Sequence, residues 1–441
     1  MTGRFMTRRT ATATAATSLT GAALAACALP GAGGRANVAA QPTVGPATVT
    51  FTHWWAPPAA FGVAMDQALQ SWAAKGSPVK VDSQVINAND SFTKYTNMLA
   101  GGTPPDLAMI QPFYFAPLHA RGGWVDVSAL ARRDEREVKL GDFYPEPLVR
   151  VTRDGKLHGL PTDINVTVLL YNKNLLDSGG AKVPDDSLTW DGLLDAARAL
   201  TRGEGADRQW GMVAPTDWEP VVWANGGEVL NKEENLCLLD QPAAYEAVQW
   251  LADLRHRHRV APLQADLQAQ DAQTQFLAGK IALLPWQSGV LGTFKGHNPS
   301  FAWGVALPPK GRRVRSGYLR GGNLGIMNGS RQVEAAWQVM KHLNTPEVHA
   351  LWANPGTLMP PRKSVAESGA FLQPPPPLDL RKTVDAIAAA RTPHFIPEYV
   401  EMTDIVNKTL APAWNTGAPA AREACQEAKR QVDQLLAPRR K

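Results

Sequence analysis

The chain has 441 residues, 44% of them hydrophobic and 19% charged, with a formal net charge of +5. Three arginines fall in the first nine residues, so the remainder is near neutral, about +2, and lacks the basic field that attracts nucleic acid. No uninterrupted apolar run reaches the ~18 residues a spanning helix needs, and three cysteines cannot build a dense disulfide framework.

Residues 1–26 read as an export signal. Arg4, Arg8 and Arg9 form a positive start, and an uncharged Ala/Thr-rich stretch follows. The Arg8-Arg9 pair is open to the twin-arginine route, although no bulky apolar residues follow it. Leu24-Ala25-Ala26-Cys27 resembles a bacterial lipobox, in which Cys27 is lipidated and becomes the first mature residue. The alternative is an ordinary signal whose apolar region happens to contain a cysteine. Residues 27–46 are mostly small or Pro with almost no charge, and read as a flexible tether. One lipid there would anchor the protein to a membrane without inserting it.

Order begins at Thr48-Val49-Thr50-Phe51-Thr52, an alternating strand. Apolar positions at helical spacing follow over 61–72. A second strand is expected around 79–85, and a helix over 92–99 that Gly101-Gly102 stops. Asp106-Leu107-Ala108-Met109-Ile110 is a short buried strand. Strand–helix–strand–helix–strand implies a parallel sheet covered by helices. A second unit starts with a strand at 166–171. Its helices are 190–200, with Thr189 as N-cap and Asp191 in the first turn, and 245–256. Residues 273–277 lead through Gly279 into a strand at 281–284. Pro374-Pro375-Pro376-Pro377 is a stiff connector. From Pro393 the chain is mainly helical, and 420–436 is amphipathic. Cys237 lies in an apolar run; with Cys425 it forms either one bridge or two buried thiols. The cluster Lys310, Arg312, Arg313 and Arg315 reads as a solvated loop.

Two α/β units suggest two lobes with a crevice between, and ligands of open α/β sheets bind beyond the carboxyl ends of strands. Aromatics and amides recur there: His53-Trp54-Trp55, Gln111-Pro112-Phe113, Asp163-Ile164-Asn165, Trp218, Trp223 and Trp286-Gln287. Trp is abundant, 14 against 7 Tyr, so indole is the aromatic surface to account for. Indole faces suit the C–H patches of sugar rings, and Asp, Asn, Gln and Arg suit their hydroxyls. The competing use of each indole is core filling. Adjacent Trp54 and Trp55 cannot both face one core, because strand side chains alternate. No nucleophile elbow, zincin helix or phosphate-cradling loop occurs, so no cofactor is expected. His256 and His258, two apart on a helix, make a poor metal pair, and no metal site is expected. A glycosidase needs only two carboxylates, which any fold could assemble.

Further pieces occur in a fixed order: Gly155-Lys156-Leu157, Tyr171-Asn172-Lys173, Thr189-Trp190-Asp191, Asn225-Gly226-Gly227, Gly279-Lys280-Ile281 and Gly321-Gly322-Asn323. On these the chain resembles the bacterial extracellular solute-binding proteins of ABC importers, specifically the maltose-binding-like, sugar-binding family. The resemblance implies a two-lobed periplasmic-binding-protein-like α/β fold of type II, with hinge crossovers and a ligand cleft between the lobes. It places one lobe at 47–163 plus 308–358 and the other at 164–307 plus 359–441. Crossings fall near 160–165, near Leu307-Pro308 and around 359–362. By position, the ligand would meet His53, Trp54, Trp55, Gln111, Phe113, Asp163, Asn165, Trp218, Trp223, Trp286, Gly322 and Arg362. The resemblance implies capture of a mono- or oligosaccharide by a monomer and delivery to a membrane permease, without chemistry. Arg320 and Arg362 leave a phosphorylated or acidic solute, such as glycerol phosphate, as the alternative ligand. An exported glycosidase and a sensor's receptor subunit are the alternative functions.

Overall fold

The computed structural model describes residues 44–353, 358–373 and 379–440. The expected signal at 1–26, Cys27, nearly all of the tether and the prolines at 374–377 lie outside the described residues.

The first lobe begins with three parallel strands, Ala47–His53 (β1), Val79–Val85 (β2) and Leu107–Ile110 (β3). Helices Ala60–Ala74 and Ser91–Ala100 connect them, as the alternation predicts. All four residues of β3 are buried, the signature of a strand covered on both faces. Asp106 fixes its entry, accepting the Thr50 amide and hydroxyl, each at 2.9 Å. A short hairpin, Thr152–Arg153 (β4) with Lys156–Leu157 (β5), precedes Leu160–Pro161 (β6).

The second lobe is built on Asn165–Asn172 (β7), Trp210–Met212 (β8), Ile281–Gln287 (β9), Trp303–Ala306 (β10) and Gly317–Arg320 (β11). The chain then returns to the first sheet with Asn323–Ile326 (β12), and a last short strand, Ala390–Arg391 (β13), joins the second. The orders are β2-β1-β3-β12-β6 and β13-β11-β7-β9-β8, with β10 also on β7. The second sheet is mixed: β7 is antiparallel to β9, β10 and β11, whereas β8 and β9 are parallel. Thr189 caps helix Trp190–Leu200 by accepting the Gly192 amide at 3.2 Å. The buried Ala424, Cys425, Ala428 and Val432 form the apolar stripe of helix Ala421–Leu435, which packs on helix Tyr399–Thr416 in the second core.

Three crossings join the lobes, because β12 and helices Val333–Leu343 and Pro346–Ala353 belong to the first lobe whereas β13 and the helices after it belong to the second. Residues 162–164 run from β6 to β7, and Gly321-Gly322 runs from β11 to β12. The second lies well past the expected Leu307-Pro308. Residues 308–316 stay with the second lobe because Lys310 bridges to Thr189 and β11 pairs with β7. These two are clamped together. Asp163 Oδ1 accepts the Gly322 amide and the Thr162 hydroxyl, both at 2.8 Å. A Cβ on Gly321, whose φ is +138°, would collide with the Asp163 carbonyl. Residues 359–362 lie on the third crossing, where one was expected, and run beside the first, with the Ile164 amide donating to the Met359 carbonyl at 2.8 Å.

Candidate functional site

Because β8 and β9 are parallel, their carboxyl ends open on the same side. Thr216, Asp217 and Trp218 follow β8, Trp286 and Gln287 end β9, and Arg320 ends β11. All of these except Trp218 line a cavity of about 230 Å³. Its back wall is the Trp190–Trp250 pair, stacked at 4.1 Å and 11°. Trp286, half-buried, forms a side wall.

A polar chain crosses this cavity. Arg320 Nη2 donates to Asp217 Oδ1 at 2.9 Å. Gln287 Nε2 donates to Asp217 Oδ2 at 2.9 Å and to Thr167 Oγ1 at 3.2 Å. The Arg320 guanidinium also lies 4.2 Å from the Tyr318 ring centroid. Arg320 is thus already neutralised by a carboxylate and seated on a ring. Three lining atoms remain buried without a hydrogen-bond partner: Arg320 Nε, Gln287 Oε1 and Ser316 Oγ. A buried polar atom left unmade costs about 1–3 kcal/mol, so these are places where a hydroxylated ligand or water would be held.

Beside it, sharing Thr216, Asp217 and Arg320, lies a second recess between the lobes. The second lobe supplies Trp218, Glu219 and Tyr399; the first supplies Phe113 from helix Pro112–Ala120. Trp218 is fixed by its Nε1–H, which donates to Asn407 Oδ1 at 2.9 Å. Burial pushes the Glu219 carboxyl up to about 7, opposed by His394, by the Tyr399 hydroxyl donating at 3.0 Å and by Arg320. Residues 395 and 396 tie the lobes together. Phe395 stacks 6.1 Å from Phe115 of the first lobe, while Ile396 is buried in the second core.

The structure brings Phe113, Trp218 and Trp286 into these walls. Asn165 is the register partner of Arg320, and its Oδ1 accepts the Gly289 amide at 2.8 Å. Asp163 and Gly322 form the crossing clamp; burial raises the Asp163 pKa. Gln111 heads the helix of Phe113, and Trp54 is half-buried against the same first core that holds Trp55, contrary to the expected split, because β1 ends at His53 and strand alternation does not reach them.

Four expected site residues serve packing instead. His53 is buried beneath Phe51, 2.7 Å from Ser83 Oγ, and burial pushes its pKa down to about 4. Trp55 sits edge-on to Trp352 at 5.1 Å in the first core. Trp223 packs edge-on against Tyr318, under the Arg391 guanidinium. Arg362 is 1% exposed and fully engaged, donating to the carbonyls of Asn344 and Val138 at 2.7 and 2.8 Å and pairing with Asp142 at 3.2 Å. It is no free anion receptor. Sequence reasoning missed Trp190 and Trp250 as walls, along with Asp217, Glu219 and Tyr399. Asp217-Trp218-Glu219 directly after β8 was the available signal; the Trp pair had none, because helix–helix contact creates it.

Two α/β lobes, crossed three times and enclosing a polar-aromatic crevice, constitute the fold of solute-binding proteins. The same fold occurs in an ABC substrate-binding protein from Listeria monocytogenes solved in complex with cycloalternan. The TM-score is 0.81 at 22% identity, over 89% of this chain and 99% of that one. A protein of Brucella abortus named only as a binding protein is 24% identical over 383 residues, 85% of this chain and 90% of its own length. An arabinooligosaccharide-binding protein of Halalkalibacterium halodurans is 23% identical over 386 residues, 81% of this chain and 84% of its own length. The family model for bacterial extracellular solute-binding proteins matches residues 65–376, and the chain belongs to that family.

Proposed function

We propose that this chain is the ligand-capturing component of an ABC importer and that its ligand is a neutral carbohydrate. The observation that carries the reading is the crevice at the ends of β8 and β9. It offers indole walls for sugar faces and an Asp–Gln–Arg chain for hydroxyls, and its one lining arginine is already paired with Asp217. That pairing argues against a phosphorylated or acidic solute, which would need an uncommitted cation. A relative named for arabinooligosaccharide binding and a structural neighbour solved in complex with cycloalternan support the sugar class. Ligand held between Phe113 and the second-lobe walls favours the closed form by contacting both lobes, and differential contact is what shifts such an equilibrium. The closed monomer then docks on a permease. The family is extracellular, and Cys27 is read as the lipid anchor that keeps the protein at the membrane. Specificity rests on hydrogen bonds, since a sugar lacking one hydroxyl would leave a buried group unpaired.

A thermal-shift screen over neutral sugars, sugar acids and polyol phosphates tests this. Ligand at 100 times its dissociation constant adds about 2.7 kcal/mol of stability. Neutral sugars should raise the melting temperature and phosphates should not. Asp217→Asn, which frees the Arg320 charge, should weaken neutral sugars and improve acidic ones. A wild-type melt that responds only to phosphates would overturn the assignment.

A further inference from the structure

Away from the crevice, two imidazoles meet at the edge of the first lobe. His119 stands in the last turn of helix Pro112–Ala120, and His158 lies between β5 and β6. Their Nε2 atoms are 3.2 Å apart, and the rings meet edge to face at 72° with centroids 4.5 Å apart. His158 is nearly buried and His119 half-exposed, so the space between them opens to solvent on one side. We propose that His119 and His158 form a binding site for a divalent d-block cation of the Zn²⁺ type.

Geometry is the main argument. Two metal–nitrogen bonds of about 2.0–2.1 Å at a tetrahedral angle place the nitrogens roughly 3.3–3.4 Å apart. The observed separation needs an adjustment of only a few tenths of an ångström. A direct N–H···N bond also spans 3.2 Å, at the long end of its range. In that bond Nδ1 of His158 carries the ring hydrogen when Nε2 accepts and none when Nε2 donates; an ion on Nε2 requires the first form, which the Val125 backbone beside the ring favours. The charges around the pair balance: Asp154 attracts positive charge on both rings and Asp126 on His158, while Arg153 repels it at His119 and Lys156 at His158. Among the described residues no group of three or more His, Cys, Asp or Glu converges, so water fills the remaining coordination positions. Imidazole suits Zn²⁺, Ni²⁺ and Cu²⁺ and discriminates against Mg²⁺. A bound ion would tie the end of the helix that carries Phe113 to the segment entering the first crossing at β6.

The test is calorimetric titration of the untagged, EDTA-stripped protein with ZnCl₂, and separately with CuCl₂ and MgCl₂, at about pH 7.5, where imidazole is neutral. His119→Gln and His158→Gln are measured alongside. The proposal predicts one equivalent of Zn²⁺, tighter Cu²⁺, no Mg²⁺, and at least about tenfold weaker Zn²⁺ binding in each variant. Zn²⁺ affinity should also fall as acid protonates the imidazoles. Zn²⁺ binding that both variants retain, or none at millimolar Zn²⁺, would overturn it. Should the buried His158 variant not fold, His119→Gln alone decides, because His119 lies at the solvent side.

Discussion

Replacing Gly321 with alanine strains the second crossing in two separable ways. Its φ of +138° lies where a non-glycine residue costs on the order of 1–3 kcal/mol. The new methyl also meets the Asp163 carbonyl, which belongs to the first crossing and is held by its own clamp, so relief requires backbone movement. Overpacking of that kind costs roughly 1–3 kcal/mol more. Gly76 is the internal control. Its φ is +67°, but a Cβ there meets nothing within 4 Å, so Gly76→Ala should cost only about 1 kcal/mol. The difference is thus about 3 kcal/mol. At ~2.1 cal/mol/K per residue, the roughly 400 residues beyond the signal and tether unfold with an entropy near 0.8 kcal/mol/K, so Gly321→Ala should melt about 4 °C below Gly76→Ala. Differential scanning calorimetry of both variants without ligand measures this. Equal melting temperatures would refute the reasoning that the crossings are locked by close backbone approach.

Trp286→Ala should weaken carbohydrate binding by about 1–3 kcal/mol in calorimetry with little change in stability, since it removes one stacking face from the cavity. Trp55→Ala should do the reverse, destabilising the fold by about 3–5 kcal/mol and sparing affinity. The reverse outcome for either would mean that wall and core have been misassigned. Glu219 has a native pKa raised from its ordinary 4.5 to about 7, so the native state binds its proton more tightly than the unfolded chain. Its contribution is complete below about pH 4.5 and is lost as pH rises through 7; Glu219→Gln should therefore gain stability relative to wild type over that window, by up to about 3 kcal/mol in urea melts at successive pH values. A pH-independent difference would contradict it. Burial pushes the Cys237 and Cys425 thiols up to about 12. In a Cys27→Ser background, both should resist a thiol reagent in the native protein and react with two equivalents after unfolding. No reaction after unfolding would reveal a bridge between them.

Much of the architecture was legible because it rests on local signals. The period-2 run at 48–52, the Thr189 cap and the Gly101-Gly102 stop each specify an element without reference to distant chain. The second crossing was not, because it depends on which sheet residues 308–320 join. That choice is made by β11 pairing with β7 and by Lys310 bridging to Thr189, both non-local. The site was half legible for the same reason. Trp286 lies at the end of a strand and Phe113 and Trp218 come shortly after one, so position in the chain located them. His53, Trp55, Trp223 and Arg362 occupy similar positions, but their side chains turn into cores that only the assembled helices define. The Trp190–Trp250 wall required two helices, Trp190–Leu200 and Pro242–His256, to meet.

Capture of a neutral carbohydrate without turnover is most directly tested by isothermal titration of the protein with arabino- and malto-oligosaccharides. The account predicts saturable one-to-one binding whose heat returns to baseline after each injection. Binding confined to glycerol phosphate or sugar acids, or a sustained heat of hydrolysis after injection, would contradict it.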